Sequence, residues 1–119
     1  MSYCIEVSSR TKSTAALRNY VPSGGREFVF DPTRNRFAVG KPARHLGIDG
    51  SPHQKLARSI GADEDRVLGG TWMWVDGGKL ATDEVSGHYG DRWTPELRAQ
   101  FVDVMKGYGL DVSHTKWGF

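Results

Sequence analysis

The sequence has a single cysteine, Cys4, among 119 residues. One thiol cannot close a disulfide within the chain or supply the thiolates of a structural zinc site. No apolar run approaches the roughly 18 residues that a membrane-spanning helix requires. The start of the chain also lacks the basic and then apolar pattern of a secretory signal peptide. We therefore expect no membrane association, and a chain that either works in the cytosol or belongs to a larger protein whose export signal lies elsewhere.

The common phosphate, dinucleotide and metal motifs are missing as well. The chain has no G-x-x-x-x-G-K-[ST] loop, no G-x-G-x-x-G after a predicted strand, no H-E-x-x-H and no C-x-x-C pair. Its histidines are scattered, at His45, His53, His88 and His114. This spacing does not indicate a metal site, and we expect no metal cofactor.

The net charge of +2 conceals a division between the two halves of the chain. Residues 1–58 carry ten basic and four acidic residues, a net charge of +6, whereas the remainder carries six basic and ten acidic residues, a net charge of −4. A basic half indicates an anionic partner such as RNA or a phosphorylated cofactor. Two oppositely charged, solvated faces explain the same division without any partner.

The pattern of turns and periodic segments predicts an α+β fold in one domain. Fifteen glycines indicate many tight turns. Residues 1–26 are the least defined segment and read as a strand or short helix followed by a loop, whereas residues 27–119 read as the functional domain. The predicted order from Glu27 is hairpin, helix, hairpin, helix, strand. This order favours a small antiparallel or mixed sheet, built from two hairpins and a C-terminal strand, with two helices packed on it.

Turn and capping residues place these elements. Strands at 28–30 and 36–39 flank a turn with Pro32 and Asn35, and strands at 67–75 and 79–82 flank Asp76-Gly77-Gly78. Ser51-Pro52-His53-Gln54 and Thr94-Pro95 are typical of capped helix starts. The last strand is predicted at 110–114.

His53 lies in the first turn of the first predicted helix, in register with its inward-facing residues Leu56, Ala57 and Ile60. Unpaired N–H groups at a helix start attract phosphate and favour a neutral, proton-accepting imidazole. We therefore take His53 as a candidate catalytic residue. A core histidine bonded to one backbone carbonyl is the structural alternative.

Ser86-Gly87-His88-Tyr89-Gly90 is the second candidate, because two glycines allow a tight turn that approaches a ligand closely. His88 is predicted to act as a general acid or base, Tyr89 to stack on a base or donate a proton, and Ser86 to bind substrate. A single sequence does not show whether this turn and His53 are neighbours. A loop whose Tyr89 only fills the edge of the core is the alternative.

Charged residues near these candidates complete the predicted site. Glu84 precedes the turn and is predicted to orient His88 or to stabilise a cationic intermediate. Four basic residues are predicted to bind phosphate: Lys55, Arg92, Arg34 and Arg36. A solvated surface position is the alternative for each of these charges.

A series of short motifs also resembles a known family. Phe28-Val29-Phe30-Asp31-Pro32, His53-x-x-Leu56-Ala57, Gly69-Gly70, Asp76-Gly77-Gly78-Lys79-Leu80, Ser86-Gly87-His88-Tyr89, Thr94-Pro95-Glu96 and Gly109-Leu110 follow one another over roughly residues 27–114. In this order they resemble the bacterial polymorphic toxin type 43 domain. Such domains form the C-terminal tips of large secreted carriers, including Rhs-type and contact-dependent inhibition proteins. The resemblance implies a carrier N-terminal to the domain, action in the target-cell cytoplasm and a cognate immunity protein.

The resemblance leaves the reaction open between two enzyme classes and a binding module. As a ribonuclease, which we favour, the domain would use His53 and His88 as general base and acid, Tyr89 as a stacking platform, and Lys55 or Arg92 to stabilise the phosphorane. As an ADP-ribosyltransferase it would bind NAD, with the pyrophosphate at the helix start and Arg34 or Arg36, nicotinamide against Tyr89, and Glu84 beside the oxocarbenium ion. The Arg…Ser-Thr-Ser…Glu-x-Glu series of many arginine-directed transferases is missing. A non-enzymatic module that occupies RNA with the basic half is the third reading.

Overall fold

The computed structural model describes residues 3–7, 17–18, 26–41, 50–75, 78–86 and 89–116, with only the backbone placed for 3–5 and 41. Six strands form one mixed sheet in the described residues, in the order β1-β3-β2-β4-β5-β6. All neighbours are antiparallel except β5 and β6, which are parallel. The strands are β1 Tyr3–Val7, β2 Glu27–Asp31, β3 Arg36–Lys41, β4 Leu68–Val75, β5 Lys79–Thr82 and β6 Val112–His114. The helices are α1 Pro52–Ser59 and α2 Pro95–Gly107, with a 3-10 turn at Gly90–Arg92. The predicted α+β class is thereby confirmed.

The hairpin of β2 and β3 follows its turn chemistry. Asn35 has a φ of 55°, the left-handed conformation that asparagine tolerates better than most residues. The Asp31 carboxylate accepts a hydrogen bond from the Thr33 backbone N–H at 3.0 Å, which fixes the start of the turn. In the resulting register Phe30 lies opposite Phe37.

Helix α1 begins where the capping residues predict. The Ser51 hydroxyl accepts from the Gln54 N–H at 3.3 Å, and the Gln54 side chain accepts from the Ser51 N–H at 3.0 Å. The helix ends before Gly61, which has a φ of +67°. Its inward residues pack on one face of the sheet in a small cluster with Val29, Ala38, Val67 and Tyr89.

Helix α2 covers the opposite face, where the larger core lies. The Thr94 hydroxyl caps it by accepting from the Leu97 N–H at 3.1 Å. Phe101 reaches an aromatic cluster in which its ring stacks on Phe28 at 5.5 Å between centroids. Because Phe28 and Phe30 belong to this core and Val29 to the other, the alternation along β2 separates the two faces.

The edges of the sheet come from distant parts of the chain. β1 pairs with β3, so the strand predicted as one option for the N-terminal segment is present. The division of the chain at residue 26 stays a prediction. At the other edge β6 lies parallel to β5, and the chain between these two strands includes α2. The predicted strands at 67–75, 79–82 and 110–114 correspond to β4, β5 and β6, and residues 76–77 of the predicted turn lie outside the described residues.

The segment that leaves β5 crosses very close to the start of β4. The Asp83 carboxylate accepts hydrogen bonds from the Thr71 N–H and hydroxyl, both at 2.7 Å, and so ties this segment to β4. A Cβ on Gly70 would lie 1.9 Å from the Asp83 carbonyl oxygen. The Gly69-Gly70 pair therefore exists because the crossing leaves no space for side chains there.

Replacing Gly70 with alanine tests this close approach. The new methyl group would collide with a backbone oxygen held by the Asp83 bonds, so we expect Gly70→Ala to lower the free energy of unfolding by about 3 kcal/mol. Gly107→Ala is the matched control, because a Cβ added there would meet no described atom within 4 Å apart from its chain neighbours and the backbone of its own helix. At the end of α2 it should stabilise the protein by up to about 1 kcal/mol. Urea denaturation of both variants gives the comparison, and equal stabilities would contradict the crossing.

Candidate functional site

The structure brings His53 close to the turn that begins at Ser86. A Cβ on Gly69 would lie 2.9 Å from both His53 Cδ2 and Ser86 Oγ, so the two side chains meet over this glycine. The His53 and Tyr89 rings are 6.4 Å apart in an edge-to-face arrangement. The two features that the sequence marked separately are thus neighbours on the α1 side of the sheet.

His53 is buried, with 7% of its surface exposed. Its Nε2 lies 2.8 Å from the Gly70 carbonyl oxygen. A carbonyl oxygen only accepts, so Nε2 carries the proton and donates it. His53 therefore ties the first turn of α1 to β4 at the glycine pair.

Hydrogen bonds join the described residues on either side of His88. The Ser86 hydroxyl accepts from the Tyr89 N–H at 3.1 Å, and the Ser86 carbonyl accepts from the Gly90 N–H at 3.3 Å. Gly87 and His88 themselves lie outside the described residues. The two ends of the turn are consequently fixed next to His53, and the roles predicted for Ser86 and His88 stay predictions.

Tyr89 is enclosed between a histidine, an arginine and a carboxylate. Only 3% of the residue is exposed, and the Arg92 guanidinium lies over its ring, 4.9 Å from the centroid. Its hydroxyl donates to Glu64 Oε1 at 3.3 Å. Burial raises the pKa of Tyr89, and the negative charge of Glu64 raises it further. The ring is thus covered rather than open to stacking in this conformation, and the phenol stays a proton donor to Glu64.

Arg92 is held by backbone oxygens while much of its guanidinium remains available. Nη1 donates to the carbonyl oxygens of Glu64 and of Val67, the latter at 3.2 Å. Among the described residues, its Nε and Nη2 groups have no hydrogen-bond partner. These donors, on a side chain fixed over Tyr89, match the fork geometry that binds phosphate oxygens.

Glu64 is not among the residues that the sequence marks as candidates for the site. Its side chain is 37% exposed, and Oε2 accepts from Arg58 Nε at 3.2 Å while Oε1 faces Tyr89. No short motif connects these positions, because Tyr89 is 25 residues away along the chain. A carboxylate that two donors orient and that still reaches solvent can accept a proton.

An open groove of about 620 Å³ adjoins this cluster. The β2–β3 turn contributes Pro32 and Thr33, the connection after α1 contributes Asp65 and Arg66, and Leu97 and Gln100 of α2 form the remaining wall beside Arg92. The volume lies within the range of about 300–1,000 Å³ found for small-molecule sites. Arg92 therefore belongs both to the groove and to the Tyr89–Glu64 cluster.

The other basic residues predicted to bind phosphate are dispersed. Arg36 pairs with Glu6 at 3.6 Å across β1 and β3. Arg34 is exposed at the β2–β3 turn and lies near Gly61: a Cβ added to that glycine would be 3.7 Å from Arg34 Nη1. Lys55 is half-buried on α1. Of the four, only Arg92 contacts one of the proposed catalytic side chains within the described part of the chain.

Glu84 lies in a second cluster, on the α2 side of the sheet. Its carboxylate accepts from Arg98 Nε at 2.6 Å and Nη2 at 2.9 Å, and from His114 Nε2 at 2.9 Å, with only 5% of the side chain exposed. Burial alone would raise the pKa of Glu84, but the hydrogen bonds and positive charge supplied by Arg98 and His114 outweigh it, and the pKa is lowered. The carboxylate therefore holds the protein core together in this conformation rather than facing an open pocket.

His114 extends this second cluster to Thr82. Nε2 donates to Glu84, so in the neutral ring Nδ1 accepts the hydrogen bond from the Thr82 hydroxyl, at 2.7 Å. The ring packs on Trp93 at 4.6 Å between centroids. Burial lowers the pKa of His114, and the hydrogen bond and charge of Glu84 compensate only in part. The sequence marked His114 only as a scattered histidine.

Clusters suited to a metal ion and helices suited to a membrane are both absent from the part of the chain that the structure describes. No group of three or more histidine, cysteine, aspartate or glutamate residues is placed there to hold a metal ion. No described helix combines the length and the apolar character needed to cross a membrane.

Comparison with known families shows the class of protein to which this small α+β domain belongs. The family model described as bacterial toxin 43 matches residues 2–100, most of the chain. The chain therefore belongs to the bacterial toxin 43 family, as the motif series indicates, and the match extends into the N-terminal segment before residue 27. No curated protein and no solved structure matches the chain.

The second cluster predicts a pH dependence of stability. The pKa of His114 is lower in the folded protein than its ordinary value of 6.5, so the folded state binds fewer protons there. Stability from this residue is complete above that value and is lost as the pH falls through the lowered folded pKa, by up to about 1.4 kcal/mol per pH unit. Urea denaturation between about pH 8 and pH 5 measures this loss.

His114→Phe is the variant that isolates the effect. Phenylalanine keeps a ring against Trp93 but leaves the buried Thr82 hydroxyl without its acceptor, which should cost about 1–3 kcal/mol at pH 8. The difference between wild type and variant should shrink as the pH falls below 6.5. A difference that stays constant over this range would contradict the assigned protonation state.

Proposed function

We propose that this toxin domain is a ribonuclease that cleaves RNA in the target cell by general acid–base chemistry. It would be delivered at the tip of a larger secreted carrier and neutralised in the producing cell by a cognate immunity protein. One observation carries the proposal: a half-exposed carboxylate, Glu64, is oriented by Tyr89 and Arg58 beside a groove that Arg92 lines. A base and a phosphate-binding cation thus lie next to a space of nucleotide size.

Glu64 is the proposed general base. It would take the proton of a ribose 2′-hydroxyl while the 2′-oxygen bonds to the adjacent phosphorus. The hydroxyl of Tyr89 and the guanidinium of Arg58 hold the carboxylate in one orientation, so little reorganisation is needed at the moment of transfer. The sequence-based assignment of this role to His53 is less well supported, because His53 is buried and its Nε2 is bonded to the Gly70 carbonyl.

Arg92 is the proposed stabiliser of the phosphorane. The charge on the equatorial oxygens grows as the 2′-oxygen attacks, and fixed donors aimed at that charge lower the barrier. Two carbonyls and the Tyr89 ring fix the guanidinium, which retains donors for the phosphate. Arg66, exposed in the same groove, would add a second positive charge.

His88 is the proposed general acid. It would protonate the 5′-oxygen as the P–O5′ bond breaks, leaving a 2′,3′-cyclic phosphate and a 5′-hydroxyl. The closed turn from Ser86 to Tyr89 supports this role, because it carries His88 between Ser86 and the residue that orients Glu64. His53 would then be a positioning residue that holds the turn and β4 in register.

The two alternatives find less support in the geometry. A transferase would need an open carboxylate beside the NAD ribose, but both oxygens of Glu84 are bonded to Arg98 and His114 on the other side of the sheet. A binding module that relies on basic side chains alone does not explain the oriented Glu64. Both alternatives predict no cyclic phosphate product, which makes the product the discriminating observation.

Cleavage of RNA by the purified domain, analysed for cyclic phosphate ends without added NAD, tests the proposal. We expect Glu64→Gln to lower the rate by about 10²–10⁴-fold, as expected on loss of a general base, and Arg92→Gln by about 10²–10³-fold. Glu96→Gln and Arg26→Gln, the same changes at exposed positions, should leave the rate unchanged. Intact RNA with the wild type, or full activity in Glu64→Gln, would refute the mechanism.

A pair of histidine variants separates the acid from the positioning residue. His88→Gln removes the proposed acid and should lower the cleavage rate by about 10²-fold or more. His53→Gln keeps a side-chain N–H that can donate to Gly70, so its rate should stay within about tenfold of wild type. The reverse order of effects would return the catalytic role to His53, with thermal melting of both variants as the control for folding.

A further inference from the structure

We propose that the groove beside Arg92 is a nucleotide-binding subsite in which Gln100 selects bases that carry an exocyclic amine. The proposal rests on the ribonuclease function for its biological meaning, but nucleotide binding can be measured without cleavage. The inference starts from the side chain of Gln100, which forms one wall of the groove.

The Gln100 amide is fixed by the β2–β3 turn. Its Nε2 donates to the Pro32 carbonyl and to Asn35 Oδ1, both at 2.8 Å. The Pro32 carbonyl only accepts, so the amide cannot be turned the other way round. Both Nε2 hydrogens are thereby used, and Oε1 is an acceptor that no donor satisfies among the described residues.

A fixed acceptor favours a donor on the ligand. Cytosine, adenine and guanine carry an exocyclic amine at the Watson–Crick edge, whereas uracil presents a carbonyl at the position of the cytosine amine. A carbonyl placed against Gln100 Oε1 would leave two acceptors facing each other. The groove should therefore bind cytosine in preference to uracil, which has nearly the same shape.

The remaining lining residues match the other parts of a nucleotide. Leu97 and Pro32 offer apolar surface for a base, and Arg66 and Arg92 offer donors to a phosphate. Asp65 is the one acidic side chain among the lining residues, and ribose hydroxyls can donate to it. Arg66 is well exposed, and its ion pair with Asp63 is long, at 3.9 Å, so it is able to turn towards a ligand.

Cytidine and uridine 5′-monophosphate are the probes that test the subsite. We expect the isotope-labelled domain to bind the cytidine nucleotide about fivefold more tightly in an NMR titration, the effect of about one hydrogen bond. The shifted resonances should include Thr33, Leu97 and Gln100. Equal affinities, failure to bind either nucleotide, or shifts confined to other surfaces would overturn the proposal.

Three variants complete the experiment. Gln100→Leu should abolish the preference between the two nucleotides. If the variant retains the preference, a residue other than Gln100 selects the base. Arg66→Gln, at an exposed side chain, should weaken the binding of both nucleotides equally. Lys79→Gln removes the same charge far from the groove, beside Asp111, and should change neither affinity.

The outcomes also separate this proposal from the ribonuclease function. Selective binding of the cytidine nucleotide without RNA cleavage would refute the ribonuclease proposal and support the nucleotide subsite. RNA cleavage without any preference in binding between the two nucleotides would refute the subsite proposal and support the ribonuclease proposal.

Discussion

The close crossing of the chain over Gly69 and Gly70 is the constraint on which the rest of the structure depends. Because these residues have no side chains, the segment after β5 can pass against β4 and present its residues to both faces of the sheet. Glu84 then reaches Arg98 and His114 on the α2 side, whereas Ser86 meets His53 on the α1 side. Two polar clusters with different partners therefore share one short stretch of backbone.

The two clusters differ in their access to solvent, and this difference decides what each can do. The carboxylate of Glu84 is buried, and both of its oxygens accept hydrogen bonds. A buried charge is stable only when all of its hydrogen-bonding and charge partners are present, as Arg98 and His114 are here. The carboxylate of Glu64 is oriented by two donors but still reaches water. Proton transfer with an external substrate requires the second arrangement, so the charge in the core serves stability, whereas the charge beside the groove is the one that the proposed function uses.

Local signals predicted much of the fold, and long-range contacts determined the rest. Capping at Ser51 and Thr94 and the turn at Asn35 act within four residues, so the sequence indicates them directly. The proximity of His53 to Ser86 and the pairing of Glu64 with Tyr89 depend on how α1 and the segment after β5 pack on β4, which no spacing in the sequence encodes. Glu84 shows the same limit: its position before the turn suggested partnership with His88, whereas its bonded partners come from α2 and β6.

The parallel strand β6 also imposes an order on folding. His114 of β6 forms a hydrogen bond with Glu84, which lies 30 residues earlier in the chain, and α2 connects the two. Contacts of such separation form late, because a long loop must close before they can stabilise anything. During synthesis, a chain that ends at α2 therefore has Glu84 but lacks both its partner His114 and the last strand of the sheet. The segment that leads to Ser86 is therefore fully held only when nearly the whole domain is present, so a partial chain should not assemble the candidate site.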